Sequence, residues 1–358
     1  MRILVVTSTG KAGPHVMRDF AESFRDAGHV VDVFDVSAIQ GETPAKRFIN
    51  LVTAAVDKLN AFAPDMAIGY GANACVIYAD ENNKPVDFFT SLGMPTVCVF
   101  YDSPLEDSIF YNIEKIDNPK LHYYLVWDGF YVDDMKKLGF EKVYYMPIAA
   151  NTDRFRKLDF NSEDARKYGA DVSFVGSRTP KRERVLRELA DFDLAVWGYD
   201  WENASDEKLR KLARGVADNE TELVKIYNYS KININITVDQ GVSSLNMRVF
   251  DCLASGGFLI SDYKQDFDSL FAPGEAVTFR ELSELPRMVG HYLENDEERI
   301  TIAEKGRLRV AADHSYSKRA ELIMSLLEKD GMFARPRWWE GMAVKNAAME
   351  HALAEAVV

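Results

Sequence analysis

The sequence predicts an α/β protein of two domains, each built on a parallel sheet covered by helices. Three observations lead to this prediction. The chain has 358 residues, which exceeds what one hydrophobic core usually organises. Short apolar runs alternate with longer amphipathic stretches, a pattern typical of parallel strands joined by crossover helices. The series stops at a polar stretch, residues 151–169, and then starts again.

The predicted strands fall into two groups that read as two Rossmann-like sheets. Those of the first domain are residues 3–6, 30–36, 66–70, 96–100, 123–127 and 143–146, and those of the second are residues 172–175, 194–197, 232–237, 258–261 and 276–278. We place the first domain at residues 1–165 and the second at 166–329. Residues 330–358 form a helical tail that is expected either to pack back on the first domain or to mediate self-association.

Charge and composition exclude several classes of protein. Acidic residues outnumber basic ones by 56 to 43, and the net charge of -13 argues against a nucleic-acid partner. No apolar run approaches the roughly 20 residues that span a bilayer, and the first residues are unlike a signal peptide. We therefore expect a cytoplasmic protein without a transmembrane segment. Three widely spaced cysteines support neither a disulfide framework nor a zinc site, so reduced thiols are expected.

Ligands of open parallel sheets bind beyond the carboxyl ends of the strands, so the loops that follow strands are the candidate sites. The first such loop is residues 7–15, TSTGKAGPH. Gly10 and Gly13 would let backbone amides approach a ligand, and Lys11 and His15 could add donors. The stretch is neither GxGxxG nor a Walker loop, and a flexible strand-to-helix turn explains it equally well.

The second loop, residues 174–184, reads FVGSRTPKRER. Gly176 permits a tight turn, Thr179 can cap a helix, and proline suits that helix's first position. Arg178 and either Lys181 or Arg182 would place positive charge where a diphosphate could lie. The alternative is a solvated basic helix start, although cations there oppose the helix dipole.

The third stretch, residues 240–257, carries polar residues inside an apolar helix. Ser243 or Ser244 is predicted to cap this helix, which ends at a pair of glycines. Asn246, Arg248 and Asp251 must then either pair or bind a ligand, because unpaired buried charge is costly.

Further candidates lie outside these loops. Asp102 follows the strand at 96–100 and could orient an acceptor hydroxyl or cap the next turn. Tyr199 and Asp200 follow the strand at 194–197 and are candidate base contacts. Four other aromatic residues could stack on a base or sugar but are more typical of core or rim positions: Tyr70, Tyr101, Trp197 and Trp201. Two Asp-x-Asp pairs, at 191–193 and 266–268, are expected at solvated helix ends and not at a metal.

Several segments together resemble the spore-maturation (CgeB-type) glycosyltransferase-like family. In the second half these are DVSFVGS at 171–177, WGYDW at 197–201, ININI at 232–236, NMRVFD at 246–251, ASGGFLI at 254–260 and HSYSKR at 314–319. In the first half they are PDMAIG at 64–69, GMPTVCVFYD at 93–102 and YMPIAA at 145–150. Such proteins are similar to retaining nucleotide-sugar glycosyltransferases of the GT-B fold, in which two Rossmann-like domains face a central cleft.

The resemblance implies a role for individual residues. Asp251 stands where the broader superfamily has the Glu that binds the donor ribose, whereas Ser243 replaces the first Glu of that motif. Arg178 fits the diphosphate-binding Arg, but Glu183 replaces the expected Lys. Lys181, Arg182 or Arg248 would have to substitute. The candidate catalytic residues are therefore Asp102, His15 and Ser243, and the candidate donor-binding residues are Gly176, Arg178, Lys181, Arg182, Tyr199, Ser244, Asn246, Arg248 and Asp251.

The function this implies is transfer of a sugar from a nucleotide diphosphate-sugar to an unidentified acceptor, a cell-surface glycan or a protein, with retention, without metal and without a cofactor. Fixed cations and helix amides would stabilise the leaving diphosphate directly. Because the first Glu is missing, a nucleotide-sugar-binding protein without transfer activity is the alternative. A nucleotide-sugar epimerase on the same fold is a further one.

Overall fold

The computed structural model describes residues 1–8, 13–75, 77–79, 85–105, 116 and 119–334. The chain divides into two compact domains. The described residues of the first domain lie within Met1–Pro147 and 317–334, and the second domain contains Ile148–Tyr316.

The first domain is built on a parallel sheet of six strands. Its elements in chain order are β1 (Arg2–Thr7), α1 (Gly13–Asp26), β2 (Val30–Asp35), α2 (Pro44–Phe62), β3 (Met66–Tyr70), β4 (Ile77–Ala79), β5 (Pro85–Asp87), α3 (Phe88–Leu92), β6 (Thr96–Phe100), β7 (Tyr123–Val126), α4 (Phe130–Lys137) and β8 (Val143–Tyr145). The sheet order is β2-β1-β3-β6-β7-β8. β1, β3 and β6 are central and almost wholly apolar, as expected for strands covered on both faces. The antiparallel pair β4 and β5 was not predicted.

The second domain repeats this architecture with a parallel sheet of five strands. Its elements are α5 (Ser162–Tyr168), β9 (Ala170–Val175), α6 (Pro180–Arg187), β10 (Leu194–Trp197), α7 (Glu207–Leu212), α8 (Glu222–Tyr229), β11 (Ser230–Asn235), α9 (Met247–Ala254), β12 (Leu259–Asp262), α10 (Phe267–Leu270), β13 (Val277–Phe279), α11 (Leu285–Glu294) and α12 (Asp296–Asp313). The sheet order is β10-β9-β11-β12-β13. The predicted α/β class with two parallel sheets is therefore confirmed, and every predicted strand exists to within two residues at each end.

The domain boundaries differ from those placed on the sequence at 165 and 329. Residues after Pro147 pack on the second domain: the Leu158 amide donates to Oδ1 of Asn228 at 2.8 Å. Helix α13 (Tyr316–Lys329) returns to the first domain, where Nε of Arg319 donates to the Pro147 carbonyl at 2.6 Å. The polar composition of 151–169 indicated a linker, but these residues form part of the second domain. The predicted tail lies outside the described residues from 335 onward.

The cysteines agree with their expected state. All three are buried and free, and Sγ of Cys75 lies 3.6 Å from Sγ of Cys98. Burial raises the pKa of the Cys75 thiol well above its usual value. Among the described helices, none is both long enough and apolar enough to cross a bilayer.

Candidate donor site and acceptor-side cluster

The connections of each sheet create a crevice at its carboxyl edge. In the second domain, β10 and β11 lie on opposite sides of β9. The chain therefore leaves β9 toward one side and, after β10, crosses to the other side. Ligands of open α/β sheets bind at such a switch point. The loops that follow β9 and β11 carry most of the predicted donor residues, so the topology brings these residues to one edge.

The loop after β9 enters α6 as predicted. The Thr179 hydroxyl accepts a hydrogen bond from the Arg182 amide at 3.2 Å, and Pro180 occupies the first turn. Gly176 is closely packed, because a Cβ there would lie 3.0 Å from Cζ of Phe174 and 3.2 Å from a guanidinium nitrogen of Arg182. Glycine thus lets the buried guanidinium pass beneath the loop.

Arg178 is held by two carboxylates. Its Nε donates to Oε2 of Glu183 at 2.7 Å, and one terminal nitrogen donates to Oδ2 of Asp200 at 3.1 Å. These hydrogen bonds raise the pKa of the Arg178 guanidinium. The guanidinium that the resemblance assigns to a diphosphate therefore already has anionic partners on this chain.

Glu183 is the centre of that cluster. It also accepts from the Ser205 hydroxyl and from the Asp206 amide. Burial alone would raise the pKa of this carboxyl, but the hydrogen bonds from Ser205, Arg178 and the backbone outweigh burial and lower the pKa to about 2. Glu183 is thus an ionised, structurally fixed carboxylate, which the sequence had shown only as a missing lysine.

Lys181 joins the loops that follow β11 and β12. Its Nζ donates to the Thr237 carbonyl at 2.9 Å and to Oδ2 of Asp262 at 3.1 Å, and it lies 3.4 Å from Oδ1 of Asp239. Asp262 also accepts from the Thr237 hydroxyl at 2.7 Å. The ammonium therefore stabilises the carboxyl edge of the sheet and already has anionic neighbours.

Arg182 differs from these two cations. It is 3% exposed, and within the described ranges its guanidinium donates to two backbone carbonyls, those of Ser177 and Ile236, and to no carboxylate. Burial, together with the nearby guanidinium of Arg248, lowers the pKa of Arg182 to about 10, although Asp262 opposes this effect. A buried positive charge without a bonded anion is costly and favours an anion at this position.

Arg248 is the second cation of this pair. It lies in the first turn of α9, half-buried, and within the described part of the chain no carboxylate pairs with its guanidinium. The bridge to Asp251 that the spacing allowed is not formed. The charge of Arg248 acts on the buried guanidinium of Arg182, and two like charges within electrostatic range of each other favour an anion nearby.

The start of α9 differs from its prediction. The helix begins at Met247 with Asn246 as the N-cap residue, so neither Ser243 nor Ser244 caps it. These serines precede the helix: the Ser243 carbonyl accepts from the Asp266 amide at 3.0 Å, and Ser244 is buried. The amide of the Asn246 side chain is enclosed, and neither its oxygen nor its nitrogen has a hydrogen-bond partner among the described residues.

Asp251 lies in the middle of α9 and is buried. Helices α8 and α9 are in contact. Burial raises the pKa of the Tyr227 hydroxyl in α8 well above its usual value, the charge of Asp251 raises it further, and the charge of Arg248 opposes this. The sequence indicated Asp251 and Arg248 and gave no signal for the tyrosine, which belongs to an ordinary amphipathic helix.

The loop after β10 is fixed in an unusual conformation. Gly198 has φ +138°, and a Cβ there would lie 2.1 Å from the Gly176 carbonyl oxygen, so only glycine fits. The Trp201 indole donates to the same carbonyl at 2.7 Å, which places this tryptophan in the core. Asp200 has φ +70°. Tyr199, which lies between Gly198 and Asp200 at the carboxyl edge of the sheet, is 54% exposed.

The first domain has an equivalent crevice between β1 and β3. A Cβ on Gly13 would lie 3.4 Å from Cγ of Tyr70, so the start of α1 packs against the end of β3. The Tyr70 hydroxyl donates to Oδ2 of Asp102, which follows β6. His15 lies in the first turn of α1, half-buried. Gly10 and Lys11 lie outside the described residues.

The Asp-x-Asp pairs have structural partners. Asp191 accepts from Nζ of Lys208 at 2.6 Å, Asp193 accepts from the Asp171 amide at 3.2 Å, and Asp268 accepts from the Tyr263 hydroxyl at 2.6 Å. Among the described residues, no group of three His, Cys, Asp or Glu side chains is arranged to hold a metal ion. Transfer without metal stays a prediction.

Comparisons with known proteins bear on this site. Residues 178–325 match a family model described as glycosyl transferase-like. No curated protein sequence matches the chain. Similar solved structures include sucrose-phosphate synthase from Thermosynechococcus elongatus, at 13% identity over 94% of this chain and 100% of that chain with a TM-score of 0.64. HepE from Anabaena in complex with UDP and glucose is 12% identical over 92% of this chain and 100% of that chain, with a TM-score of 0.64. A glycosyltransferase from Rickettsia africae ESF-5 is 14% identical over 91% of this chain and 98% of that chain, also with a TM-score of 0.64.

The chain has the GT-B fold. The expected fold class is thus confirmed, and the resemblance to the CgeB-type subfamily stays a prediction. The matched stretch contains Arg182, Arg248, Asp251 and Tyr199. Among the described residues, the cations predicted to bind the donor fall into two groups. Arg178 and Lys181 form ion pairs with carboxylates, whereas Arg182 and Arg248 form none.

Proposed function

We propose that the protein is a glycosyltransferase that moves a sugar from a nucleoside diphosphate-sugar to an acceptor. The observation that supports this most directly is the pair of guanidinium groups near the switch point of the second sheet, Arg182 and Arg248, neither of which forms an ion pair with a carboxylate among the described residues. The glycosyl transferase-like match covers both residues. A solved structure of similar fold contains UDP and glucose.

The chemistry fits these residues. As the bond between the sugar and the diphosphate breaks, negative charge grows on the leaving diphosphate. Arg248, which is half-buried, would contact the diphosphate. Arg182, buried beneath the loop after β9, would stabilise the same negative charge electrostatically. Charge-assisted contacts of this kind contribute about 1.5–3 kcal/mol each. The proposal requires no metal, and we expect the activity to survive EDTA.

We assign the following roles to the remaining predicted residues. Asp251 would bind the donor ribose next to Arg248, and Ser243 and Ser244 would replace the superfamily's first Glu near the donor sugar. Asp102 and His15, at the carboxyl edge of the first sheet, would orient the acceptor hydroxyl. Retention of configuration follows from the resemblance and is proposed on that ground.

Calorimetric titration tests the proposal. UDP, GDP and dTDP are titrated into the wild-type protein and into Arg248→Ala, with the exposed helix residue Arg287→Ala as the matched control. We expect Arg248→Ala to lower the affinity for the nucleotide about 10- to 100-fold and Arg287→Ala to leave the affinity unchanged. Equal affinity in Arg248→Ala and the wild type would contradict the assigned role.

Turnover separates the candidate activities. Nucleoside diphosphate release from UDP-, GDP- and dTDP-sugars is measured with and without a panel of acceptors, in the wild type, Asp251→Ala and Ser243→Ala. Release that requires an acceptor supports transfer. Binding without release across the panel would favour a binding protein, and an isomerised sugar nucleotide would favour an epimerase.

A further inference from the structure

Arg178 is held by two carboxylates of its own domain, which is not expected of an arginine whose role is to bind phosphate. Its guanidinium uses Nε for Glu183 and a terminal nitrogen for Asp200, at 2.7 and 3.1 Å. Glu183 is itself immobilised by Ser205 and by the Asp206 amide. Moving Arg178 onto a diphosphate would remove the cation that is hydrogen-bonded to the buried Glu183 carboxylate and leave it with the weaker ion pair to Arg187 at 3.9 Å, which is unfavourable.

The group that Arg178 holds is the loop after β10. The backbone amide of Arg178 donates to the Tyr199 carbonyl at 3.0 Å. The Arg178 guanidinium binds the carboxylate of Asp200, the residue that follows Tyr199. Asp200 has a left-handed backbone, φ +70°, and its second carboxylate oxygen accepts from Asn203 at 2.8 Å. A non-glycine residue in this region is strained and persists where its surroundings fix it.

The fixed loop presents one large aromatic side chain to the carboxyl edge of the sheet. Tyr199 is 54% exposed, whereas Trp197 and Trp201 on either side of it are buried. The loop lies beside the one after β9, which leads into α6, the helix that contains Arg182. A nucleobase whose diphosphate lies at Arg248 needs an apolar, planar surface of this kind, since aromatic rings bind bases by stacking.

We propose that Arg178 is a positioning residue that fixes Tyr199, through Asp200, as the stacking surface for the donor nucleobase, and that it is not a phosphate ligand. This inference rests on the proposed function, because it takes the ligand to be a nucleoside diphosphate. It reassigns the residue that the sequence placed on the diphosphate.

A double-mutant cycle on nucleotide affinity tests the inference. The tightest-binding nucleotide among UDP, GDP and dTDP is titrated into the wild type, Tyr199→Ala, Arg178→Ala and the double variant. If Arg178 acts through Tyr199, each single variant should weaken binding about tenfold and the double variant also about tenfold, because the second change removes nothing more. A direct phosphate contact predicts additive losses, about 100-fold in the double variant.

Two controls make the result specific. Arg178→Ala combined with Arg248→Ala should be additive, because these residues would hold different parts of the nucleotide. Tyr199→Phe should retain wild-type affinity, because the ring stacks without its hydroxyl. Additive losses in the Arg178 and Tyr199 cycle, or an unaltered affinity in Tyr199→Ala, would overturn the inference while leaving the proposed function intact. A wild-type protein that binds none of the three nucleotides would overturn the proposed function and this inference together.

Discussion

The Tyr70 hydroxyl donates a hydrogen bond of 2.7 Å to Oδ2 of Asp102, joining the ends of two neighbouring strands of the first sheet. Tyr70 ends β3 and Asp102 follows β6, and these strands pair in parallel. The same tyrosine ring packs edge to face with Tyr101 at a centroid distance of 6.4 Å. A carboxylate that the sequence suggested as an acceptor-side group is thus held in one orientation by a residue that the sequence favoured as core.

Tyr70→Phe should lower kcat about tenfold while leaving the affinity for the nucleotide unchanged, because the carboxylate remains but loses the hydrogen bond that orients it. Asp102→Asn should lower kcat more, by about 100-fold or beyond, if this carboxylate acts as the base. Steady-state rates at saturating donor, paired with calorimetric affinities, separate the two effects. Tyr144→Phe is the matched control, because it removes a Tyr–Asp hydrogen bond at β8, to Asp330. An equal loss of kcat in Tyr144→Phe would contradict the specific role of Tyr70.

Glu183→Gln should reduce stability at neutral pH and flatten its acid dependence. The folded pKa of Glu183 is lowered to about 2, below its ordinary value of 4.5, so its contribution is fully present above that ordinary value. It disappears as the pH falls from about 4.5 to 2, and it amounts to at most about 3 kcal/mol at pH 7. Urea unfolding of both proteins from pH 7 to pH 3 measures this. The two stability curves should converge toward acid, and parallel curves would refute the assigned environment.

Gly198→Ala should be far more destabilising than Gly215→Ala, although both glycines have positive φ and belong to the second domain. At Gly215 nothing lies within 4 Å of the place that a Cβ would take, so only backbone strain of about 1 kcal/mol is expected. At Gly198 the Cβ would overlap the Gly176 carbonyl oxygen, so a further loss of at least about 2 kcal/mol is expected. Equal unfolding free energies for the two variants would show that the loop after β10 is not held in this conformation.

The sequence predicted most of the fold because hydrophobic periodicity is local. Strands such as β3, β6 and β10 begin and end at the predicted residues, since each is a short apolar run bounded by polar or glycine residues. The cap of α6 was also predictable, because Thr followed by Pro is a local signal. The start of α9 was not, since Ser243, Ser244 and Asn246 are all acceptable caps and tertiary packing selects the last.

The pairing of charges could not be derived in the same way. Four basic side chains follow β9 within a few residues, and nothing local tells which of them meets a carboxylate. Arg178 reaches Asp200, which is brought near by the parallel pairing of β9 with β10, and Lys181 reaches Asp262 at the end of β12. Arg182 turns under Gly176 to the Ile236 carbonyl and meets no carboxylate in the part of the chain that the structure describes. Only the sheet order distinguishes a paired cation from one available to an anion.

The two points at which the chain passes between the domains lie side by side in the second domain. The Ala150 amide donates to the His314 carbonyl at 2.9 Å, and the Tyr316 amide donates to the Ala150 carbonyl at 3.2 Å. The second domain is therefore an insertion whose entry and exit are hydrogen-bonded neighbours. The two ends of the segment 148–316 are thus close enough to be joined to each other by a short peptide, so a circularly permuted second domain would need no long artificial connector.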